Sequence, residues 1–226
     1  MKIAVVTACI GTKYFENVKT LIESVKFYFL RDTTIYVFTD LNHLDCVGAI
    51  KIHTCHVPPP LSALFRYSYL WSIRNILADF DLIYWIDADC EVMKHLTADI
   101  IPDYASLVSV AHPWHDMTRG PFETNPASTA FIGGDDYIPY LQGCFQGGET
   151  GPFLTMCKTL KNNIEIDLSN RIIAKWYDES HLNRYALDHP FKNLHPGYAY
   201  PDKLMDVPYP RIINHANGHD HVKGFG

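Results

Sequence analysis

Two carboxylates one residue apart, Asp87-Ala88-Asp89, directly follow an apolar run from Asp81 to Ile86 (D-L-I-Y-W-I). A strand ending there delivers both side chains to its carboxyl end, where open α/β sheets collect ligands. Paired carboxylates are hard oxygen donors suited to Mn²⁺ or Mg²⁺, and a cation so held neutralises a diphosphate. Asp is also a common turn residue, so a plain polar turn accounts for the same pair. A second group is denser: Trp176-Tyr177-Asp178-Glu179-Ser180-His181-Leu182-Asn183. Asp178 suits a helix N-cap and Glu179 the first turn, where the macrodipole favours an acid. The same residues set two carboxylates, an imidazole and an amide beside an indole. That combination suits sugar stacking and a carboxylate working at an anomeric carbon.

Other catalytic patterns fail. Gly11-Thr12-Lys13 lacks the earlier glycine and the G-K-[ST] order of a P-loop, and Gly147-Gly148 is not a G-x-G-x-x-G after a first strand. H-E-x-x-H and G-x-S-x-G are absent, which disfavours zincins and α/β-hydrolases alongside P-loop and dinucleotide enzymes. His215, His219 and His221 read as a solvated tail rather than as metal ligands. The six cysteines (Cys9, Cys46, Cys55, Cys90, Cys144, Cys157) include no C-x-x-C pair. They read as small buried hydrophobes in a reducing compartment.

The elements that must position these residues follow from the apolar pattern. Lys2–Cys9, Thr34–Thr39, Ile50–Val57, Asp81–Ile86 and Leu107–Ala111 read as strands, with a short extended piece at Gly143–Gly148. Phe15–Phe29 carries Val18, Leu21, Ile22, Val25 and Phe29 at helical spacing. Leu70–Ala78, Phe153–Leu160 and Glu179–Leu187 read as further helices. This alternation opens an α/β sheet, and 226 residues without a repeat or linker make one domain. Residues 212–226 hold three Gly and three His without an apolar period, which predicts a mobile tail. The formal charge of −6 with no Lys/Arg block excludes broad nucleic-acid binding. Arg74, Asp79 and Asp81 interrupt the most hydrophobic segment, so no membrane span is expected, and no signal peptide is evident. A cytoplasmic location is the corresponding expectation.

The two motifs together resemble a family. W-Y-D-E-S-H-L-N-R-Y, followed by L-H-P-G-Y, is similar to the W-H-D-E-S-H-L-N-K-Y…L-S-P-E-Y signature of glycosyltransferase family 6, which contains the histo-blood-group A and B transferases and the α1,3-galactosyltransferases. Tyr36–Asp40, Ile86–Asp89, Ala111–Pro113 and the segment from Pro126 through Gly148 follow in the family's order, so nearly the whole catalytic domain is covered. The resemblance implies a GT-A fold: a Rossmann-like mixed sheet flanked by helices, with a nucleotide-binding half (1–90) merged with an acceptor and donor-sugar half (91–211). It implies transfer of galactose or N-acetylgalactosamine from UDP to the 3-OH of an acceptor sugar, a β-galactoside, with retention, in a soluble microbial or viral-type member. Asp87 and Asp89 would bind Mn²⁺ and the diphosphate. Thr7, Ala8, Cys9 and Tyr14 would hold uridine, Arg74 would contact the donor and order the aspartates, and Asp178 would bind donor-sugar hydroxyls. Glu179 matches the catalytic glutamate.

Departures from the pattern bear on the substrate. Tyr177 replaces a histidine, Gly197 replaces an acceptor-contacting glutamate, and Tyr67 stands where Trp is usual while still offering a stacking face. With His112 and Trp176 these residues would meet an acceptor other than the mammalian one. Gln142 and Cys144 occupy the positions that govern donor choice, and a residue larger than glycine at Cys144 favours galactose. Lys223 or His215 would stand for the family's basic tail. Alternatives are a UDP-glucose donor, a UDP-sugar hydrolase, or a catalytically silent carbohydrate-binding module.

Overall fold

A computed structural model describes residues 1–30, 32–113, 120–134, 138–202 and 210–215. The chain opens with β1 (Ile3–Cys9), α1 (Phe15–Tyr28), β2 (Thr33–Thr39) and β3 (Ile50–His53). Three short helical pieces follow, α2 (Leu61–Leu64), α3 (Arg66–Ser72) and α4 (Arg74–Leu77), then β4 (Leu82–Ile86) and β5 (Cys90–Val92). The remainder supplies β6 (Leu107–Ala111), β7 (Leu141–Glu149), α5 (Thr150–Ser169), α6 (Tyr177–Asp188), β8 (Phe191–Leu194), β9 (Tyr200–Pro201) and β10 (Ile212–Asn214). Seven strands form one mixed sheet in the order β3-β2-β1-β4-β7-β6-β8, and β5-β10-β9 form a smaller one. β7 runs antiparallel to β4 and β6, while the other pairs in the large sheet are parallel. This is the helix-flanked mixed α/β sheet expected of a GT-A fold.

Period-two alternation assigns each strand residue to a layer. Ile3, Val5, Ile35, Val37, Tyr84 and Ile86 share a core with Val18, Leu21, Ile22 and Val25 of α1. Ala4, Val6, Tyr36, Phe38, Ile83 and Trp85 face the other layer, with Leu70 of α3, Phe153, Met156 and Leu160 of α5, and Leu182 of α6. Because both faces are covered, the central strands read as continuous apolar runs instead of alternating ones.

Several expectations shift. The helix expected at Leu70–Ala78 is part of a broken series, leaving helical geometry at Phe65 (φ −81°, ψ 0°) and Ile73 (φ −107°, ψ 18°). The helix at Phe153–Leu160 extends to twenty residues, because Ile164 and Asp167 continue the buried stripe past the last dense apolar stretch. Ile212–Asn214 is not a mobile tail: it pairs antiparallel with β5 and parallel with β9. His219, His221 and Lys223 lie outside the described residues. Five cysteines are buried as expected, Cys55 is exposed, and all six are free thiols. No helix among the described residues is long and apolar enough to cross a membrane.

Candidate active site

β4 ends at Ile86 and the chain turns over Asp87-Ala88-Asp89, closed by Cys90 N donating to Asp87 O at 3.0 Å. Opposite this turn β7 carries a bulge. Ser109 pairs with Gln146 but Val110 with Gln142, so Gly143, Cys144 and Phe145 have no partner on β6. The Ser109 hydroxyl spans the bulge, 3.2 Å from Gln142 O and 3.3 Å from Phe145 O. Bulges re-aim a strand beside active sites, and this one turns backbone groups toward the carboxylates. Asp87 N donates to Cys144 O at 2.9 Å, Gly143 N donates to Glu179 Oε2 at 2.8 Å, and Gly143 O accepts from Arg66 Nη1. A Cβ on residue 143 would lie 3.1 Å from Arg66 Nη1 and 3.2 Å from Asp178 Oδ2, so a larger residue there would press on both side chains.

Arg66, at the start of α3 and 5% exposed, is the hub. Its Nη2 is 3.0 Å from Asp87 Oδ1, and its Nε is 3.0 Å from Asp178 Oδ2, an ion pair without hydrogen-bond alignment. The guanidinium carbon sits 5.0 Å over the Trp85 ring, whose Nε1 donates to Asp87 Oδ1 at 2.6 Å. Burial opposes the arginine's charge, yet Asp178 and then Asp87 outweigh it, so its pKa is raised. Burial pushes the Asp178 carboxyl up to about 6 against the pull of Arg66, with the Asp87 charge adding to the rise.

Glu179 is held from both sides. Tyr140 Oη donates to its Oε1 at 2.8 Å while Gly143 N serves Oε2. Burial still pushes its carboxyl up to about 7, against those two donors. One turn later Asn183 locks α6 to β7: Leu141 N donates to Asn183 Oδ1, and Asn183 Nδ2 donates to Leu141 O and Glu179 O, each at 2.9 Å. The helix begins at Tyr177, so Asp178 lies inside its first turn and faces Arg66 rather than capping it. Ser180 Oγ accepts from Trp176 N at 2.9 Å at that end.

The remaining expected residues divide. Arg74 is not beside the aspartates: its Nη1 donates to Trp71 O at 3.1 Å and its guanidinium stacks on the Trp71 ring. The arginine that orders Asp87 is Arg66. Tyr67 offers no stacking face, being 0% exposed with its hydroxyl donating to Gln146 Oε1 at 3.2 Å. Thr7 and Cys9 are likewise enclosed, because β1 is central in the sheet, and the Cys9 thiol is pushed up to about 12 by burial and then by Asp40. Ala8 and Tyr14 are half-buried, and the Tyr14 hydroxyl is raised by burial and by the charges of Asp89 and Asp87. His112 packs edge-on against Tyr140, with ring centroids 5.7 Å apart, and its N donates to Tyr140 O. Gln142 Nε2 donates to Ala111 O, and its Oε1 accepts from Cys144 Sγ. Trp176 packs partly against Phe122, Ile132 and Tyr140, while Tyr177 is 40% exposed at φ 53°. His215 lies between Glu91 (2.8 Å) and Asp202 (3.5 Å), and its N donates to Asp89 O.

Arg66, Trp85, Tyr140 and Gly143 escaped the sequence reading. Arg66 and Arg74 both precede β4 on helical segments, and nothing in their spacing selects one. Tyr140 and Gly143 act through a bulge whose register no motif records.

Comparison with known proteins shows the family. The chain matches glycosyltransferase family 6 over residues 66–221. It is 27% identical over 191 residues to the O-antigen biosynthesis glycosyltransferase WbnI of Escherichia coli, covering 79% of this chain and 78% of that protein. It is 32% identical over 142 residues to histo-blood group ABO system transferase 1 of Rattus norvegicus, covering 61% of this chain and 40% of the relative. Globoside alpha-1,3-N-acetylgalactosaminyltransferase 1 of Homo sapiens is 25% identical over 230 residues, covering 94% of this chain and 65% of its own length. The chain thus spans most of the bacterial relative but less than two thirds of these two animal ones. Since the family match begins at Arg66 itself and runs through both the D-x-D turn and Glu179, this chain belongs to glycosyltransferase family 6.

Proposed function

We propose that this glycosyltransferase moves galactose, or N-acetylgalactosamine, from UDP to the 3-OH of a β-galactoside in α linkage with retention. The observation that carries the reading is the convergence of Asp87, Asp178 and the Glu179 cradle on one arginine, Arg66. Asp87, Asp89, Asp178 and Glu179 outnumber that single cation, so a diphosphate would meet net repulsion without a further positive charge. Two carboxylates on one turn are hard ligands that fit Mn²⁺ or Mg²⁺. No group of three or more His, Cys, Asp or Glu suited to a metal occurs among the described residues, so a cation held by Asp87 and Asp89 would need its other ligands from diphosphate and water. A divalent cation bound there would supply the charge that neutralises the departing diphosphate.

The chain's own residues account for the rest. The C1–O bond to UDP breaks with its electron pair on the leaving diphosphate, and the acceptor O3 bonds C1 and passes its proton to that diphosphate. Arg66 stabilises charge on the leaving side, in surroundings where a fixed guanidinium acts more strongly than in water. Glu179 faces the cationic character at C1, as stabiliser or as nucleophile. Asp178, held by Arg66, would bind donor-sugar hydroxyls. The relatives carry names that include α1,3-N-acetylgalactosaminyl transfer and ABO transfer, and Cys144, larger than glycine, favours galactose here.

The test is UDP release from a panel of UDP-sugars, UDP-glucose included, with Mn²⁺ or EDTA and with or without β-galactosides. Release should be greatest with UDP-galactose, stop with EDTA and rise with acceptor. Equal release without acceptor would make the protein a hydrolase, and no release from any donor would sink the enzyme reading.

Glu179 also sets a pH dependence. Its carboxyl moves from an ordinary 4.5 to about 7 in the folded protein. A group raised on folding adds stability that is fully present below 4.5 and lost as pH rises through about 7. Catalysis needs the ionised form, so kcat/KM should rise over the window in which Tm of the free protein falls. Parallel pH profiles of turnover and Tm check this, and slopes of the same sign would contradict it.

A further inference from the structure

Two buried carboxylates have no part in the proposed reaction: Glu123 is 6% exposed and Asp167 1%. Both hold the segment of residues 122–132, but they fasten it to different elements. Asp167, in the last turn of α5, accepts from Ser128 Oγ at 2.5 Å and from Thr129 N at 2.8 Å. Glu123 reaches the other way. Its Oε1 accepts from Asn125 N at 2.7 Å, and its Oε2 accepts from Lys175 N, 52 residues on, at 2.6 Å. Such bonds from backbone N–H to a carboxylate are about twice as strong as neutral ones. Lys175 directly precedes Trp176, from which α6 departs with Glu179 in its first turn. On the other side of Glu123 along the chain, Phe122 packs on the Tyr140 ring with centroids 5.4 Å apart. Tyr140 Oη is the donor to Glu179 Oε1. Glu123 therefore joins the seat of that donor to the start of the helix that carries the acceptor.

We propose that Glu123 is a positioning residue for transfer: by clamping the segment that seats Tyr140 to Lys175, it fixes the Glu179 carboxyl against Tyr140. The inference rests on the reading of Glu179 as the group that faces C1. Misplacing a reacting group by about 1 Å can cost on the order of 10²-fold in rate, so a loosened first turn of α6 is felt in the chemical step. The helix itself stays in place without the clamp, because Asn183, one turn after Glu179, holds it to Leu141 of β7 through two separate bonds. Arg66, Asp87 and Asp89 are carried by α3 and the turn after β4, so the clamp does not reach them. The defect therefore belongs to kcat and not to donor binding. Glu123→Gln isolates it. The amide has the size of the carboxylate, but its oxygen serves only one of the two N–H groups while its NH2 opposes the other. Glu123→Asp keeps both acceptor oxygens on an arm one methylene shorter.

The test is a double-mutant cycle on the whole protein, with kcat, Mn²⁺-UDP affinity and amide hydrogen exchange read on each variant. Glu123→Gln should lower kcat about tenfold, short of the loss a full 1 Å misplacement brings. In a Glu179→Gln background the same substitution should cost less than about twofold, because residues that act through one another do not add. Mn²⁺-UDP affinity should stay within about twofold, as for a loss confined to kcat. Exchange over residues 175–183 should speed up roughly tenfold while β1 keeps its protection. Glu123→Asp should show the same pattern at smaller size, and it carries the test if Glu123→Gln does not fold. An unchanged kcat, or an equal loss in both backgrounds, would make Glu123 a structural residue only and overturn the proposal. Near-native turnover in Glu179→Gln, or no transfer from any donor, would sink the reading of Glu179 instead. The clamp is then judged by exchange: faster exchange confined to residues 175–183 supports it, and unchanged exchange overturns it.

Discussion

Glu179→Gln is expected to lower transfer on the order of 10³-fold, the size of effect that follows loss of a preorganised charge aimed at a transition state, while the protein stays folded. The two halves of that expectation come from the same geometry. Gln keeps the length of Glu, its Oε1 can still accept from Gly143 N, and its Nε2 can donate to Tyr140 Oη once that hydroxyl rotates. The Asn183 bonds to Leu141 and to Glu179 O use backbone on the Glu179 side and survive. What disappears is the negative charge that the proposed mechanism sets opposite the anomeric carbon. The wild-type carboxyl titrates near 7 because burial disfavours its charge, so the neutral amide should leave Tm at pH 8 no lower than wild type. Turnover and thermal unfolding measured together check this. Near-native turnover would make Glu179 structural, and a collapsed Tm would show that the cradle needs a carboxylate.

The elements that position this cradle were legible to different degrees, for physical reasons. β1, β2, β4 and β6 lie within a residue or two of the expected strands, because two-sided burial demands uninterrupted apolar runs. α6 was legible through its acids and its apolar stripe. The short strands β5, β8, β9 and β10, of two to four residues, are too brief to show a period. The same distinction runs through the site. Asp87, Asp178 and Glu179 sit in compact motifs that announce themselves. Gly143 matters only because Ser109 bridges a bulge, and Tyr140 only because that bulge brings β7 under α6. Tyr67 shows the converse: an aromatic that suggested a sugar platform is enclosed between α3 and β7 and spends its hydroxyl on Gln146.

Arg66 and Arg74 turn that limit into a decisive comparison. Eight residues apart on neighbouring helical pieces, they are equivalent to any reading of spacing, yet their surroundings differ completely. Arg66→Ala would strip the cation from Asp87 and Asp178 and leave two carboxylates facing each other in a buried setting. Breaking a buried ion pair by removing one partner costs about 3–5 kcal/mol, and loss of charge stabilisation at the leaving group should lower kcat/KM about 10²–10³-fold. Arg66→Lys should recover only part of either, since a point ammonium cannot reach Asp87, Asp178 and Gly143 O with the guanidinium's fork. The stability loss has its own signature. Without Arg66 the Asp178 carboxyl, already at about 6 with the arginine present, moves further up, so the variant should regain Tm on acidification as that buried charge is protonated. Arg74→Ala, stacked on Trp71 away from the carboxylates, should change kcat/KM by less than about threefold, as expected for a residue with no contact to the reacting groups. Kinetics on the three variants, with Tm read at pH 5.5 and 8, separate the possibilities. A large kinetic defect in Arg74→Ala beside a mild one in Arg66→Ala would reverse the assignment and return the donor contact to the arginine that the motif resemblance first pointed to.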